Sequence, residues 1–379
     1  MTAPLKVDSH VHVGVLGDDP AFKGYGAISQ WMRGNPVYQI MLLYARIERD
    51  KVTDTVLRDS LLKAVATSAL DRVICLALDP VYDPGGNRRE ELSNMWVDNS
   101  FIVKELIPRS GGRILLGASV HPYDPAFQQR VRQCVQDGAV LLKWLPSAQQ
   151  INLADPRVKD ALVFLATAKG GKALPLLLHC GYEGAIITTD PRTFSYDYLS
   201  WGFLDRLRNA LKSKKDRFAT PDVAGALANL RAGVDAGATV ILAHCGLPYF
   251  APRFLGFLEH SDFPVVKALL GESSAAPEEK GKFCADVSAC VTPFRKSYFG
   301  DIRKLPAELL LAASDFPVPV FELSADLKEN LRDFEAMIAK GELDRVVVPQ
   351  DNLLDVNWRE LKIAFGEHPM FRNAVKLIG

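Results

Sequence analysis

Eight short apolar runs, rich in β-forming residues and repeated along all 379 residues, constrain the fold of this chain more than any other feature. In order they are Lys6–Val13, Arg72–Asp79, Arg113–Val120, Ala139–Leu145, Ala173–Cys180, Thr239–Cys245, Phe283–Cys290 and Leu309–Asp315. The runs are continuous rather than alternating, which is the pattern of strands buried on both faces, and segments of helical periodicity separate them. Pro125–Asp137 reads as an amphipathic helix, and Asp222–Ala236 carries Val223, Leu227, Leu230 and Val234 at helical spacing. Strands that return through helices pair in parallel. The chain is therefore predicted to be an α/β protein folded as a (β/α)8 TIM barrel, with a doubly wound open sheet as the alternative.

Barrels of this kind run from ~200 to over 400 residues as one unit, so residues 1–379 are read as a single domain. Three βα connections are enlarged: Gly14 to about Asp71, with Trp31, Tyr38 and Tyr44, then Tyr182–Pro221 and Leu247–Lys282. Loops of this length cover an active site or build an interface. Trp31, Tyr38, Phe250 and Phe254 within them leave room for a homodimer. Beyond the last run, Glu322–Lys340 and Asn357–Leu377 read as C-terminal helices.

Lys+Arg and Asp+Glu balance at 45 each, and the only local basic cluster is Lys212 to Lys215. A chain without net charge has no field to steer nucleic acid or an anionic membrane, so the expected partner is a small molecule. Met1-Thr2-Ala3-Pro4 passes almost directly into a strand, leaving no room for a secretion signal, and no apolar run reaches the ~18–20 residues of a membrane helix. Cys75, Cys134, Cys180, Cys245, Cys284 and Cys290 form no C-x-x-C pair and read as buried reduced thiols, in keeping with a cytoplasmic protein. Neither G-x-x-x-x-G-K-[ST] nor a strand-to-helix G-x-G-x-x-G occurs, so nucleotide cofactors are not indicated.

In a barrel, reactive groups sit at the C-terminal ends of the strands. His10 and His12, two apart on the first strand, point the same way about 7 Å apart. Lys143, His179, His244 and Asp315 end the fourth, fifth, sixth and eighth runs. Burying imidazoles, an amine and a carboxylate around one axis is costly without a compensating partner, and a divalent cation is the natural one. The competing readings are hydrogen-bonded core histidines for His10 and His12, turn residues for His179 and His244, and a cap for Asp315. Asp8 shares the inward face but lies deeper, as a supporting carboxylate. On the loops, Tyr182, Glu183, Tyr249, Arg253 and Arg295 are candidates to face substrate, with Arg295 suited to a carboxylate. His121 reads as part of a Pro-rich turn, His260 and His368 as solvated surface residues, and alternation turns Cys180 and Cys245 away from the site.

Asp8-Ser9-His10-Val11-His12, Leu178-His179-Cys180-Gly181, Ala243-His244-Cys245-Gly246 and Ala313-Ser314-Asp315-Phe316-Pro317 together resemble the amidohydrolase superfamily. More narrowly, they resemble its amidohydrolase-2 branch of metal-dependent hydrolases and decarboxylases. The resemblance implies that His10, His12, His179 and Asp315 contact the metal, that Asp315 also touches its water, and that His244 binds that water or polarises substrate. It implies too that a strand-four lysine such as Lys143 is either carbamylated, bridging two metals, or free to bind a substrate carboxylate. One ion and a free amine are expected, two ions if Lys143 is carbamylated. Imidazole-rich ligation favours Zn²⁺, with Mn²⁺, Fe²⁺, Co²⁺ and Mg²⁺ as alternatives. Zn²⁺ lowers the pKa of bound water to about 7, Asp315 can shuttle its proton, and His244 can supply a donor to a developing oxyanion. The expected activity is hydrolysis of a C–N or C–O bond in a small, carboxylated or cyclic substrate. Non-oxidative decarboxylation of an aromatic or enol acid is the runner-up, and a non-catalytic binding barrel the third reading.

Overall fold

The structure, a computed structural model, describes residues 5–186, 190–249, 253, 259–277, 280–318, 322–323, 346–347 and 350–378. Every one of the eight apolar runs coincides with or overlaps a strand of one parallel sheet: β1 (Val7–His12), β2 (Arg72–Leu76), β3 (Ile114–Ala118), β4 (Leu141–Trp144), β5 (Leu176–Leu178), β6 (Thr239–Leu242), β7 (Lys282–Asp286) and β8 (Leu310–Leu311). Neighbours in the sheet follow chain order. The ends meet through Ser9 N–H to Ala312 O at 3.4 Å, Asp315 N–H to His10 O at 2.9 Å and His12 N–H to Phe316 O at 2.7 Å. A parallel bridge between Val11 and Phe316 completes the seam. The sheet is thus a (β/α)8 barrel, and the open doubly wound alternative is set aside.

Period-two alternation divides the strand residues between two cores. Val73, Cys75, Leu116, Leu142, Leu176 and Leu242 face outward into the layer of helices, where Leu61, Val131, Leu162, Leu230 and Leu269 meet them. Ile74, Leu76, Leu141, Leu177, Ile241 and Leu311 fill the barrel interior. That interior plug is the floor under the strand ends. The returning helices include α1 (Asp54–Thr67), α2 (Phe127–Gln136), α3 (Pro156–Leu165), α4 (Val223–Asp235), α5 (Phe263–Ser274) and α6 (Leu353–Phe365). Side-chain caps fix several starts: Thr53 on Val56 N–H, Asp155 on Arg157 N–H, Asp222 on Gly225 N–H and Asn352 on Leu354 N–H. The predicted helices at Pro125–Asp137 and Asp222–Ala236 correspond to α2 and α4. The stretch Asn357–Leu377 is not one helix: α6 stops at Gly366, whose φ is 61°, and Met370–Asn373 and Val375–Ile378 follow Pro369 as separate turns. Of the helix expected over Glu322–Lys340, only Glu322–Leu323 lies among the described residues, as a strand paired antiparallel with Val346–Val347. Phe250 and Phe254 lie outside them. Among the described residues no helix is long and apolar enough to cross a membrane, and all six cysteines are free thiols.

The long first connection is folded rather than loose. Its strand Gly26–Ile28 pairs antiparallel with Met95–Val97 from the second connection, and Tyr38 and Leu42 of the helix Pro36–Tyr44 share a buried apolar cluster with Ile28. The buried carboxylate of Asp54 holds the start of this connection by accepting four backbone N–H groups. Oδ1 takes Leu16 (2.5 Å) and Gly17 (3.1 Å), and Oδ2 takes Asp18 and Asp19 (3.1 Å each).

Two histidine expectations change. His260 is buried, not solvated: its ring stacks on Tyr198 at 3.7 Å, with Nδ1 3.1 Å from Asp205 Oδ1 and Nε2 3.0 Å from Asp262 Oδ1. The polar stretch Glu259–Asp262 reads as surface, but the fifth connection folds over it. His368 is half-buried and accepts the Met370 N–H at 3.3 Å.

Replacing Asp54 by Ala leaves buried amides without their charged acceptor and is expected to cost about 3 kcal/mol, read from urea unfolding; a loss below about 1 kcal/mol would contradict the role given to Asp54. For His260, burial pulls the imidazolium down, but the carboxylates of Asp262 and Asp205 outweigh it and hold the pKa up at about 9, against an ordinary 6.5. A raised folded-state pKa stabilises fully below the unfolded value, and the contribution is lost as pH rises through the folded value. Relative to H260Q, the wild type should therefore lose about 3 kcal/mol of stability between pH 6.5 and pH 9 and beyond. Parallel stability profiles for the two proteins would refute the ion pair.

Candidate metal centre and pocket

Asp286, the last residue of β7, organises the strand ends. Its buried Oδ2 lies 2.8 Å from His10 Nδ1, while Oδ1 accepts the His244 N–H at 2.8 Å, the Ser288 N–H at 3.1 Å and the Ser288 hydroxyl. Burial pushes this carboxyl up, but the facing His10 imidazole and these hydrogen bonds win and hold it far below the usual carboxylate range. An ionised Asp286 makes Nδ1 of His10 the protonated nitrogen, so Nε2 of His10 carries a lone pair.

That lone pair faces two more donor atoms. His10 Nε2 is 3.0 Å from His12 Nε2, and Asp315 Oδ1 is 3.2 Å from each of them. His10, His12 and Asp315 form a group whose candidate ligand atoms all lie within 4.8 Å of one another. Burial, joined by the Lys143 ammonium, lowers the pKa of His10 and keeps it neutral. Burial raises Asp315, yet His244 and His10 outweigh it and hold its carboxylate ionised. The lone pair of His10 Nε2, the ring nitrogen of His12 and an ionised carboxylate converging on one point are the kind of donor set that a divalent cation requires. The residues present fit a metal ion.

His244 and Asp315 both sit in the left-handed backbone region, at φ 55° and 67°. For residues with a Cβ this conformation costs roughly 1–2 kcal/mol, and it persists where the surroundings enforce it. Here the amide of each is pinned, His244 to Asp286 and Asp315 to His10 O. Gly246 completes the turn after β6 at φ 63°, where a Cβ would come within 2.9 Å of Val266. His244 lies with its ring centroid 5.3 Å from His10 and 5.1 Å from His179, and Nδ1 is 3.7 Å from Asp315 Oδ2. Its Nδ1 also meets Ser288 Oγ at 2.8 Å and Ser288 O at 3.2 Å. Because the Ser288 hydroxyl gives its single proton to Asp286, Nδ1 of His244 is the donor and Nε2 the lone pair. Burial lowers its pKa to about 3.

His179 stands across the ring of His244, outside the group of three. Its buried Nε2 has no hydrogen-bond partner among the described residues, the nearest carboxylate oxygen being Glu183 Oε2 at 3.4 Å. Glu183 is buried, its pKa raised by that burial, and its Oε1 accepts the N–H groups of Ala185 and Ile186. Lys143 is fully enclosed, its Nζ likewise without a partner among the described residues; burial lowers its pKa against the pull of Asp286 and Asp315. Arg295 is buried, donating from Nε to Pro248 O at 2.8 Å. His12, Lys143, His179, Glu183, His244, Tyr249, Arg295 and Asp315 all line one cavity.

The other residues singled out in the sequence lie in and around this centre. Tyr182 does not line the cavity; it stacks on Phe194, ring centroids 6.1 Å apart. Arg253 is exposed and pairs with Asp301 at 2.6 Å. His121 is held by Gln149 O at 2.9 Å and the Tyr123 N–H at 3.1 Å, with its pKa lowered by burial to about 3. Tyr38 is buried against the cavity rather than displayed on an interface. Asp8 accepts the N–H groups of His10 (3.1 Å) and Ser314 (3.0 Å), tying the two ends of the seam; burial raises its pKa to about 7. Cys180 and Cys245 donate to Ala243 O and Asp286 O, away from the cavity. Sequence reasoning missed Asp286, which ends the strand β7 as His12 ends β1.

No family model and no curated protein matches the sequence. Among solved structures, IDCase from Metarhizium anisopliae in apo form matches with a TM-score of 0.50 at 14% identity, over 99% of this chain and 97% of that one. At that identity the likeness shows a shared fold. Amidohydrolase 2 from Bifidobacterium longum subsp. infantis matches with a TM-score of 0.41 at 14% identity, over 96% and 98% of the two chains. A 5-carboxyvanillate decarboxylase from Novosphingobium aromaticivorans, in a mutant form with bound manganese, matches with a TM-score of 0.45 at 10% identity, over 83% and 88%.

Asp286→Asn replaces the ionised acceptor of His10 Nδ1–H by an amide. It is expected to weaken binding of a divalent ion by about 10–100-fold, read by competition with a chromogenic chelator. Unchanged affinity in a folded variant would remove Asp286 from the centre.

Proposed function

We propose that this chain is a metal-dependent enzyme of the amidohydrolase type, holding one divalent ion between His10, His12 and Asp315. His179 is the further ligand candidate, and Lys143 acts as a free amine. The observation that carries the reading is the convergence of His10 Nε2, His12 Nε2 and Asp315 Oδ1 within 3.2 Å, with Asp286 fixing the tautomer of His10. The four sequence motifs and the barrel fold support it.

A bound divalent ion supplies Lewis acidity and brings the pKa of a coordinated water to about 7 in the case of Zn²⁺. Asp315, ionised and facing both imidazoles, accepts the proton of the attacking water and returns it to the leaving group. Of the two parts expected of His244, binding the water and donating to an oxyanion, the first is the one that its tautomer favours. With Nδ1–H committed to Ser288, its Nε2 is an acceptor that orients the nucleophile. Burial of these side chains strengthens their interactions. The leading reading is hydrolysis of a C–N or C–O bond. Decarboxylation is the second, favoured by the two buried cations Lys143 and Arg295 on the cavity wall, which suit a substrate carboxylate.

The test is elemental analysis of the protein purified without added metal, followed by assays on lactones, amides and aromatic acids. About one ion per chain is expected in the wild type, and none in the His10→Ala, His12→Ala double variant. Asp315→Asn should lower turnover at least about 100-fold. Release of CO2 without hydrolysis would reject the leading reading for the second. Equal metal content in wild type and double variant would reject the site, and metal without turnover on any panel would return the barrel to a binding role.

A further inference from the structure

The helix Phe203–Leu211, in the connection after β5, carries its apolar side outward. Phe203 and Leu211 are 78% and 79% exposed, Leu204 and Leu207 46% and 45%. Phe203, Leu207 and Leu211 are four residues apart and form one stripe, which Leu204 widens. The polar positions between them turn the other way. Asp205 Oδ1 meets His260 Nδ1 at 3.1 Å and its Oδ2 accepts the Gly202 N–H at 2.8 Å. The Asn209 amide exchanges two hydrogen bonds with the backbone of Phe218, at 2.7 and 2.9 Å. A helix that only covered the barrel would present these faces the other way round. Here polar anchors fix the helix to the protein and leave its hydrocarbon exposed, the mark of an interaction site. His260 also meets Asp262, the residue before α5. In a parallel barrel a returning helix starts at the C-terminal ends of the strands, so the stripe sits at the end that carries the metal group.

The chain is neutral overall, but its charge is not evenly spread. Between residues 201 and 218 six basic residues, Arg206, Arg208, Lys212, Lys214, Lys215 and Arg217, stand against Asp205 and Asp216. Arg206, Lys214, Lys215 and Arg217 are exposed. The basic turn is held against the helix end: Arg217 donates to Ala210 O at 2.8 Å, and Lys212 Nζ lies 3.5 Å from the centre of the Phe218 ring. We propose that this helix binds an anionic lipid surface, its stripe entering the boundary between headgroups and hydrocarbon while the basic side chains beside it meet the headgroup phosphates. Phenylalanine and leucine on the one side with lysine and arginine beside them are the composition that such a boundary rewards. A second copy of the chain fits the stripe less well on two grounds. A stable protein interface buries about 800 Å² on each partner, more than the stripe of a nine-residue helix about 14 Å long supplies. A second copy also brings the same basic side chains to the contact, whereas an anionic lipid brings the opposite charge. Binding through this helix holds the metal-group end of the barrel near the headgroups, and it needs no metal.

The experiment is co-sedimentation of the full-length protein with vesicles of phosphatidylcholine alone and of phosphatidylcholine mixed equally with phosphatidylglycerol, alongside sedimentation velocity without lipid. The wild type is expected to bind the anionic vesicles at least about tenfold more tightly than the neutral ones. Raising NaCl from about 0.1 M to about 1 M, which shortens the screening length from about 10 Å to about 3 Å, should remove most of that preference. The double variant Phe203→Ser, Leu207→Ser should weaken binding about tenfold, with its urea midpoint unchanged because both side chains are exposed. Lys214→Glu, Lys215→Glu, on an exposed turn, should weaken binding to the anionic vesicles by a similar factor and leave the neutral ones unaffected. A wild type that stays in solution with both kinds of vesicle overturns the inference, as does vesicle binding that neither double variant alters. A dimer that Phe203→Ser, Leu207→Ser dissociates, in a protein that binds no vesicles, overturns it in favour of a second copy.

Discussion

The arrangement at the strand ends depends on one buried carboxylate. Asp286 receives His10 Nδ1 on one oxygen and three donors from the His244 and Ser288 segments on the other. A buried charge is tolerated only when its lone pairs are matched, and here they are matched by the groups whose orientation the site needs. One carboxylate thus selects the tautomer of His10 directly and that of His244 through the Ser288 hydroxyl. Both Nε2 atoms then carry lone pairs. Without Asp286 the histidines could exchange tautomers and hydrogen-bond to one another, and no fixed donor set would remain.

The barrel supplies rigidity and the connections supply shape. Its interior is packed with Ile74, Leu76, Leu141, Leu177, Ile241 and Leu311, so the strand ends have a solid floor. Strain is concentrated just above it, at His244 and Asp315, where hydrogen-bonded amides hold a backbone conformation that these residues otherwise avoid. The first connection is tied down by the four amides on Asp54 and by pairing with Met95–Val97. A long loop so fixed can form a cavity wall.

The barrel is legible in the sequence because each strand is a continuous apolar run, and buried parallel strands leave that signature whatever surrounds them. The same logic locates His10, Lys143, His179, His244 and Asp315, since a polar residue closing an apolar run stands out. It does not separate Asp286 from Asp79. Both are acids within apolar runs, but Asp79 pairs with Arg130 at 2.9 Å whereas the partner of Asp286 lies 276 residues away. His260 and Tyr38 escape it for a related reason: a loop that folds back buries residues whose local sequence looks exposed. The placement of His179 beyond His244 and the lining of the cavity by several connections arise from contacts between segments distant in the chain, which periodicity does not encode.

The metal ion proposed between His10, His12 and Asp315 can be sought directly. The most direct measurement is anomalous diffraction from crystals of the protein grown with Zn²⁺ or Mn²⁺. The account predicts one strong peak bonded to His10 Nε2, His12 Nε2 and an Asp315 oxygen at about 2.0–2.2 Å, with Asp286 still on His10 Nδ1. A peak absent from this position, with His10 Nε2 hydrogen-bonded to His12 in its place, would contradict it.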